Sequence, residues 1–338
     1  MTGHGGTNVA ELEALGLTEA DVLDLSVNVV PFELQPQLLS AMGAWDPRPY
    51  PDPGCQAAKA VLAERFGVPS ERVVLGNGAT ELMWTLFDAL KPERVLSLEP
   101  TFSEFRAAGR SKGVQVLSEH DPTCEWPDVE AHFPDVQVVY LTHPNNPMGR
   151  RFSLDRVEDW ARARPEVLFL LDESFLGLSE AHRELDRALP LNVVRLRSLT
   201  KDFGLAGLRV GYALASGELA QKIEAVRPPW TINGLAQAVV PAALAAESSL
   251  EGIRARLFAA RDRLSQSLNQ AGFSTQPSST IYVVADVGDA SRVKHRLLSR
   301  HAIRVRDCTN FGCPRWIRVA AREGNATERL IYALREEA

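Results

Sequence analysis

Cysteine is scarce, with four residues in a chain of 338. Cys308 and Cys313 are close together, but no second pair stands at metal-ligand spacing. Neither a disulfide framework nor a structural metal is expected, and the thiols read as reduced. Positive charge is also short: 37 Lys and Arg face 43 Asp and Glu, a formal net charge of −6. That balance argues against nucleic acid as the main partner, because phosphate backbones demand clustered Lys and Arg. No apolar run approaches the roughly 18 residues needed to span a bilayer. The start, Met1-Thr2-Gly3-His4-Gly5-Gly6, lacks the basic and apolar parts of a signal peptide. No membrane partner and a cytoplasmic location are therefore expected. Internal repeats and low-complexity tracts are missing as well.

What the chain has is alternation. From about residue 70 to 215, β-rich runs at 72–75, 94–98, 136–141, 167–171, 193–196 and 210–213 alternate with helical patterns. In the segment 80–90, Leu82, Met83, Leu86, Phe87 and Leu90 recur at helical spacing. Such alternation predicts an α/β fold with a mostly parallel sheet covered on both faces. After residue 215 the texture changes, with helices at 217–226, 233–246 and 249–271. Strands at 282–286, 303–306 and 316–320 follow, between helices at 291–299 and from 326. This predicts a smaller C-terminal α/β domain. The expected division is an N-terminal arm or lid over 1–30, a large domain over 31–227 and a small domain over 228–338. The proline-broken segment at Pro228-Pro229 is the junction.

Four motifs sit just after the predicted strands, at the edge where open α/β sheets bind ligands. The first is Gly76-Asn77-Gly78-Ala79-Thr80-Glu81. It lacks the third glycine of a dinucleotide fingerprint, which sets nicotinamide cofactors aside. A glycine turn entering a helix still offers backbone N–H groups to a phosphate. The second is Asn145-Asn146-Pro147-Met148-Gly149, and the third is Asp172-Glu173-Ser174-Phe175 after five apolar residues. The fourth is Ser198-Leu199-Thr200-Lys201, with Arg209 eight residues on, which surrounds a lysine with two hydroxyls and a guanidinium suited to a phosphate.

Together these motifs resemble the fold type I pyridoxal-phosphate (PLP) enzymes, the aspartate-aminotransferase-like group with a seven-stranded sheet in the large domain. The resemblance implies PLP as cofactor, with Lys201 as the Schiff-base residue and Asp172 as partner of the pyridine nitrogen. It implies phosphate contacts from Gly78, Ala79, Thr80, Ser198, Thr200 and Arg209. Asn146 matches the residue that bonds the ring's phenolic oxygen, and Phe102 the aromatic that stacks on the ring. Phe175 stands where aminotransferases usually carry a tyrosine, which removes one donor. Tyr50-Pro51-Asp52-Pro53 resembles a motif whose Tyr reaches the neighbouring subunit's cofactor phosphate, implying a homodimer with a shared active site.

On the substrate side, Arg318 matches the arginine that grips the α-carboxylate. Arg322, four residues on, stands where histidinol-phosphate aminotransferases carry glycine. The Arg318-Val319-Ala320-Ala321-Arg322 spacing, the segment Pro229–Asn233 and His4-Gly5-Gly6 resemble threonine-phosphate decarboxylase of cobalamin biosynthesis. So does Asp24–Asn28, while Ile281, where relatives tend to have Asn, departs from it. The resemblance implies a phosphorylated amino acid as substrate, held by His4, Gly5, Asn28, Asn146, Arg318 and Arg322. If 316–320 is a strand, residues two and four apart share a face and both arginines point into one cleft. Histidinol-phosphate-type transamination is the alternative, and a non-enzymatic regulator on the same fold is disfavoured by the intact Lys201, Asp172 and Arg209.

Overall fold

The computed structural model describes residues 5–337. Its centre is a seven-stranded sheet. The strands of the chain, in order, are β1 (Leu23–Asp24), β2 (Val73–Asn77), β3 (Arg94–Glu99), β4 (Gln115–His120), β5 (Val138–Thr142) and β6 (Leu168–Asp172). They continue with β7 (Val193–Ser198), β8 (Val210–Leu214), β9 (Tyr282–Asp286), β10 (Ile303–Arg304), β11 (Arg306–Asp307) and β12 (Trp316–Ala320). The large sheet runs β2-β8-β7-β6-β5-β3-β4, and only β8 is antiparallel to its neighbours. The reason is length. Between Ser198 and Val210 there is room for one short helical turn, Leu199–Asp202, and a 3-10 turn, but not for a crossover helix.

The central strands β5 and β6 are buried along almost their whole length, which is why they read as continuous apolar runs, while β7 is equally buried but carries Arg195 and Arg197, both paired with Glu173. Helix Gly78–Leu90 buries Leu82, Met83, Leu86 and Phe87 against one face of the sheet, as its spacing predicted. The other face is covered by two clusters, one around Phe133, Trp160 and Phe169, the other around Leu62, Phe203 and Val239.

The C-terminal strands form a three-stranded antiparallel sheet, β11-β12-β9. The run read as one strand over 303–306 is broken at Val305. β10 pairs in parallel with β1 near the start of the chain, and β11 pairs with β12. The N-terminal segment is thus built into the C-terminal unit, whose core includes Leu25 beside Leu264, Leu297 and Leu330. Among the described residues, no helix is long and apolar enough to cross a membrane.

Candidate active site

A cavity of about 270 Å³ opens where the chain leaves the carboxyl ends of β5, β6 and β7 and enters the helix after β2. Ala79, Thr80, Phe102, Asn146, Asp172, Phe175, Ser198, Thr200, Lys201 and Arg209 all line it. Each motif follows a strand, so the sheet's parallel order brings residues far apart in sequence to one edge.

Asp172 ends β6 and is 5% exposed. Its Oδ2 accepts from the Tyr140 hydroxyl at 3.0 Å, and its Oδ1 from the Ser174 backbone N–H at 2.9 Å. Burial pushes its pKa up, opposed by Ser174, Lys201 and Tyr140. A cation set against this carboxylate would offset that burial cost. Strand alternation turns the next residue the other way. Glu173 is fully enclosed and accepts from Arg195 and Arg197, each at 2.7 Å. That buried triad ties β6 to β7 behind Asp172.

Lys201 follows β7 on the turn Leu199–Asp202. Burial lowers its pKa, while Asp172 draws it upward. Its Nζ stands 5.2 Å from the centroid of Phe175, which packs edge-on against Tyr282. The Ser198 and Thr200 hydroxyls are 2.6 Å apart beneath it. Arg209 holds a left-handed backbone (φ 57°), uncommon for a residue with a side chain. It lies against Gly78, where a Cβ would come within 3.1 Å of its Cζ. Gly211 on β8 is needed for the same packing, since a Cβ there would sit 2.7 Å from the Gly78 carbonyl carbon. The helix N-terminus at Ala79-Thr80, Arg209 and the two hydroxyls therefore converge on one spot suited to a dianionic phosphate.

The mouth is cationic. Arg318 is 7% exposed, and its guanidinium donates to Asn146 Oδ1 and, at 3.1 Å, to the Ser26 carbonyl. Asn28, with its amide oxygen facing Arg318, accepts from Nε at 2.9 Å. Burial pushes the Arg318 pKa down. Directly across the sheet, Arg306 on β11 pairs in register with Arg318 on β12. Arg306 also lines the cavity and donates to Asn310 Oδ1 at 2.9 Å. Burial and the neighbouring Arg318 push its pKa down to about 10. Two guanidiniums crowded into a half-dry cleft favour anionic groups between them.

Of the predicted residues that the structure describes, Gly78, Arg322 and Tyr50 do not line the cavity. β12 ends at Ala320, the alternation stops there, and Arg322 instead donates to the Val27 carbonyl at 2.7 Å. The cross-strand partner Arg306 occupies the place expected for it. Tyr50 is 85% exposed beside Trp230, at 5.3 Å between ring centroids, and lines no part of this cavity. His4 lies outside the described residues, while Gly5 and Asn28 do reach the lining. Tyr140 drew no notice in the sequence, and Arg306, part of an Arg-x-Cys-x-Asn-Phe run that resembles threonine-phosphate decarboxylase, was given no role there. Tyr140 looks like one more core residue of an apolar strand. Arg306 was absorbed into a run whose break at Val305 has no local signal.

A half-buried lysine after β7, a carboxylate at the end of β6 and a glycine-turn anion cradle on this sheet order define a PLP-dependent fold type I enzyme. Residues 20–334 match the model of aminotransferase class I and II. The chain belongs to that family, and its cofactor is pyridoxal 5'-phosphate. It is 30% identical over 332 residues to the histidinol-phosphate aminotransferase of Moorella thermoacetica, covering 94% of this chain and 85% of that one. It is 27% identical to the adenosylcobalamin biosynthesis bifunctional protein CobDQ of Leptospira interrogans, covering 98% of this chain and 40% of that protein. Histidinol-phosphate aminotransferase from Sinorhizobium meliloti, solved with pyridoxal-5'-phosphate, superposes with a TM-score of 0.85 at 25% identity, covering 98% and 94%. L-threonine-O-3-phosphate decarboxylase from Porphyromonas gingivalis shares the fold, with a TM-score of 0.84 at 24% identity over 92% and 98%.

Proposed function

We propose that this enzyme decarboxylates L-threonine O-3-phosphate to 1-aminopropan-2-ol phosphate and carbon dioxide, a step of cobalamin side-chain synthesis. The observation that carries the reading is the facing pair Arg306 and Arg318, which gives the cleft receptors for two anionic groups. Arg318 takes the α-carboxylate, and Arg306 supports the phosphate. Asn28 and the Ser26 carbonyl fix the Arg318 guanidinium, and so fix the direction in which it holds the carboxylate. The bound cofactor supplies an aldehyde for the substrate amine and a ring that draws electrons from Cα. Ala79, Thr80, Ser198, Thr200 and Arg209 would hold its phosphate, Asp172 would pair with the ring nitrogen, and Asn146 and Phe102 would position the ring. The reaction breaks the Cα–carboxylate bond, carbon dioxide leaves, and a proton replaces it at Cα. Lys201, with its proton affinity lowered by burial, is the residue placed to deliver that proton.

The second reading is transamination of histidinol phosphate or a similar phosphorylated amine, favoured by the 30% identity to an enzyme of that name. Two incubations separate the readings. Threonine phosphate is supplied alone, and histidinol phosphate is supplied with a keto-acid acceptor, while carbon dioxide release and conversion of the acceptor to its amino acid are followed. Carbon dioxide release without acceptor conversion supports decarboxylation, and acceptor conversion without carbon dioxide overturns it. Borohydride reduction followed by peptide mapping checks Lys201, and a cofactor fixed to any other lysine refutes its role. We also propose a homodimer in which Tyr50, exposed on its own subunit, completes the partner's phosphate cradle.

A further inference from the structure

The turn Leu199–Asp202 separates the active-site cavity from a second one of about 320 Å³. Lys201 borders the first, Asp202 the second, and Ser198 borders both. Asp202 lacks what a shielded carboxylate ordinarily has, because its Oδ1 is closed off from solvent with no hydrogen-bond partner. Arg197 Nη1, on the same cavity, is also buried and unpartnered. The carboxylate's place is nonetheless specified. Gly177 packs so closely that a Cβ there would come within 2.7 Å of Asp202 Cγ. Gly177 does not have a positive φ, so backbone conformation does not call for glycine there. Its carbonyl accepts from Arg254 at 3.2 Å, which fixes the seat from the other side.

The charged groups facing Asp202 are Lys201 on its own turn, Arg197 from β7, Arg254 from helix Leu250–Gln270 and Glu247 from the turn before that helix. Tyr212 faces it from β8. Arg65 is engaged by Glu247 and Asp186, and His182 and Arg183 complete the wall. Lys201 and Arg254 are thus the cations that act most directly on the carboxylate.

We propose that Asp202 is a positioning residue for the reaction: a counter-charge that holds the proton on Lys201 from the side away from the cofactor, in a seat kept open by Gly177. The inference rests on the reading of Lys201 as the cofactor lysine. A negative charge behind the amine favours its ammonium form, and the effect is strong where water is excluded. Burial raises the pKa of Asp202 itself to about 7, with Lys201 and Arg254 opposing the rise. The two groups therefore titrate as a coupled pair.

The test uses the protein without cofactor. Acetic anhydride labelling of Lys201 is followed by mass spectrometry from pH 6 to 10. Asp202→Asn is expected to move the midpoint of Lys201 reactivity down by on the order of one pH unit, so the reactive amine fraction below the midpoint rises up to about tenfold. Gly177→Ala keeps the charge but displaces it, and should give part of the same shift. The absorbance titration of the loaded enzyme should move in the same direction. An altered melting temperature with an unmoved midpoint would mean a structural role only and overturn the proposal. If Asp202→Asn does not fold, Gly177→Ala decides by the same midpoint. Borohydride mapping to a different lysine would instead sink the functional reading while leaving the labelling result at Lys201 interpretable.

Discussion

Tyr140 shows how a residue can belong to core and site at once. Its ring stacks on Phe105 at 4.4 Å while its hydroxyl donates to Asp172. Removing the hydroxyl leaves the packing and takes one donor from a buried carboxylate, an interaction worth about 1.5–3 kcal/mol. Tyr140→Phe is expected to lower kcat/KM by up to roughly 150-fold and the melting temperature by about a few degrees. Steady-state assays beside thermal melts check this. Asp202 makes a prediction about stability. Its pKa in the folded protein is raised from 3.8 to about 7, so the native state holds its proton more tightly than the unfolded chain does. Its favourable contribution is complete below about pH 4 and is lost as pH rises through about 7. In protein without cofactor, Asp202→Asn should therefore melt higher than wild type at pH 8, with the gap closing at acid pH. An unchanged gap across that range would contradict the sign.

At the scale of elements, β8 couples the sheet to the phosphate cradle. Its antiparallel course packs Gly211 against the turn that starts helix Gly78–Leu90. Gly211→Ala should push that turn away from Arg209 and weaken cofactor affinity, while substrate KM at saturating cofactor changes little; equilibrium titration with PLP measures the first. The β-rich runs of the sheet were legible because strands such as β5 and β6 are apolar on both faces. The direction of β8 was not, since periodicity carries no sign. β4 was missed because an edge strand such as Gln115–His120 exposes polar residues and lacks an apolar pattern. Lys201, Asp172, Asn146 and Arg209 were singled out by their motifs and Arg318 by the family resemblance, and all five line one cavity. Arg322 was misplaced because alternation was carried past the strand's end. As for domains, helix Gly234–Ala245 shares a core with residues such as Leu62 and Leu75, whereas the C-terminal core begins near Leu264. We propose that the two units meet within helix Leu250–Gln270 rather than at Pro228.

For the whole molecule, the shared-site proposal has a direct expectation. Tyr50→Ala and Lys201→Ala proteins, each of low activity, are mixed so that subunits exchange. A hybrid dimer carries one site with both lesions and one with neither, so activity should recover to roughly a quarter of wild type if pairing is random. No recovery, in a mixture shown to contain hybrids, would place both residues in the same subunit's site.

The N-terminal segment is held at its carbonyls by arginines from the far end of the chain: Gly6 by Arg304, Ser26 by Arg318 and Val27 by Arg322. This arrangement sets an order of assembly on the ribosome. Every residue assigned to this subunit's cofactor cradle has been made once Arg209 is polymerised. The three arginines come about a hundred residues later, which at about 5–20 residues per second is a delay of several seconds. During that interval the carbonyls of Gly6, Ser26 and Val27 have no arginine to fasten to, and the segment's early anchor is the Val30 N–H on the Lys201 carbonyl. The cofactor cradle is thus complete in sequence before the arginines that pin the N-terminal segment across its mouth are made.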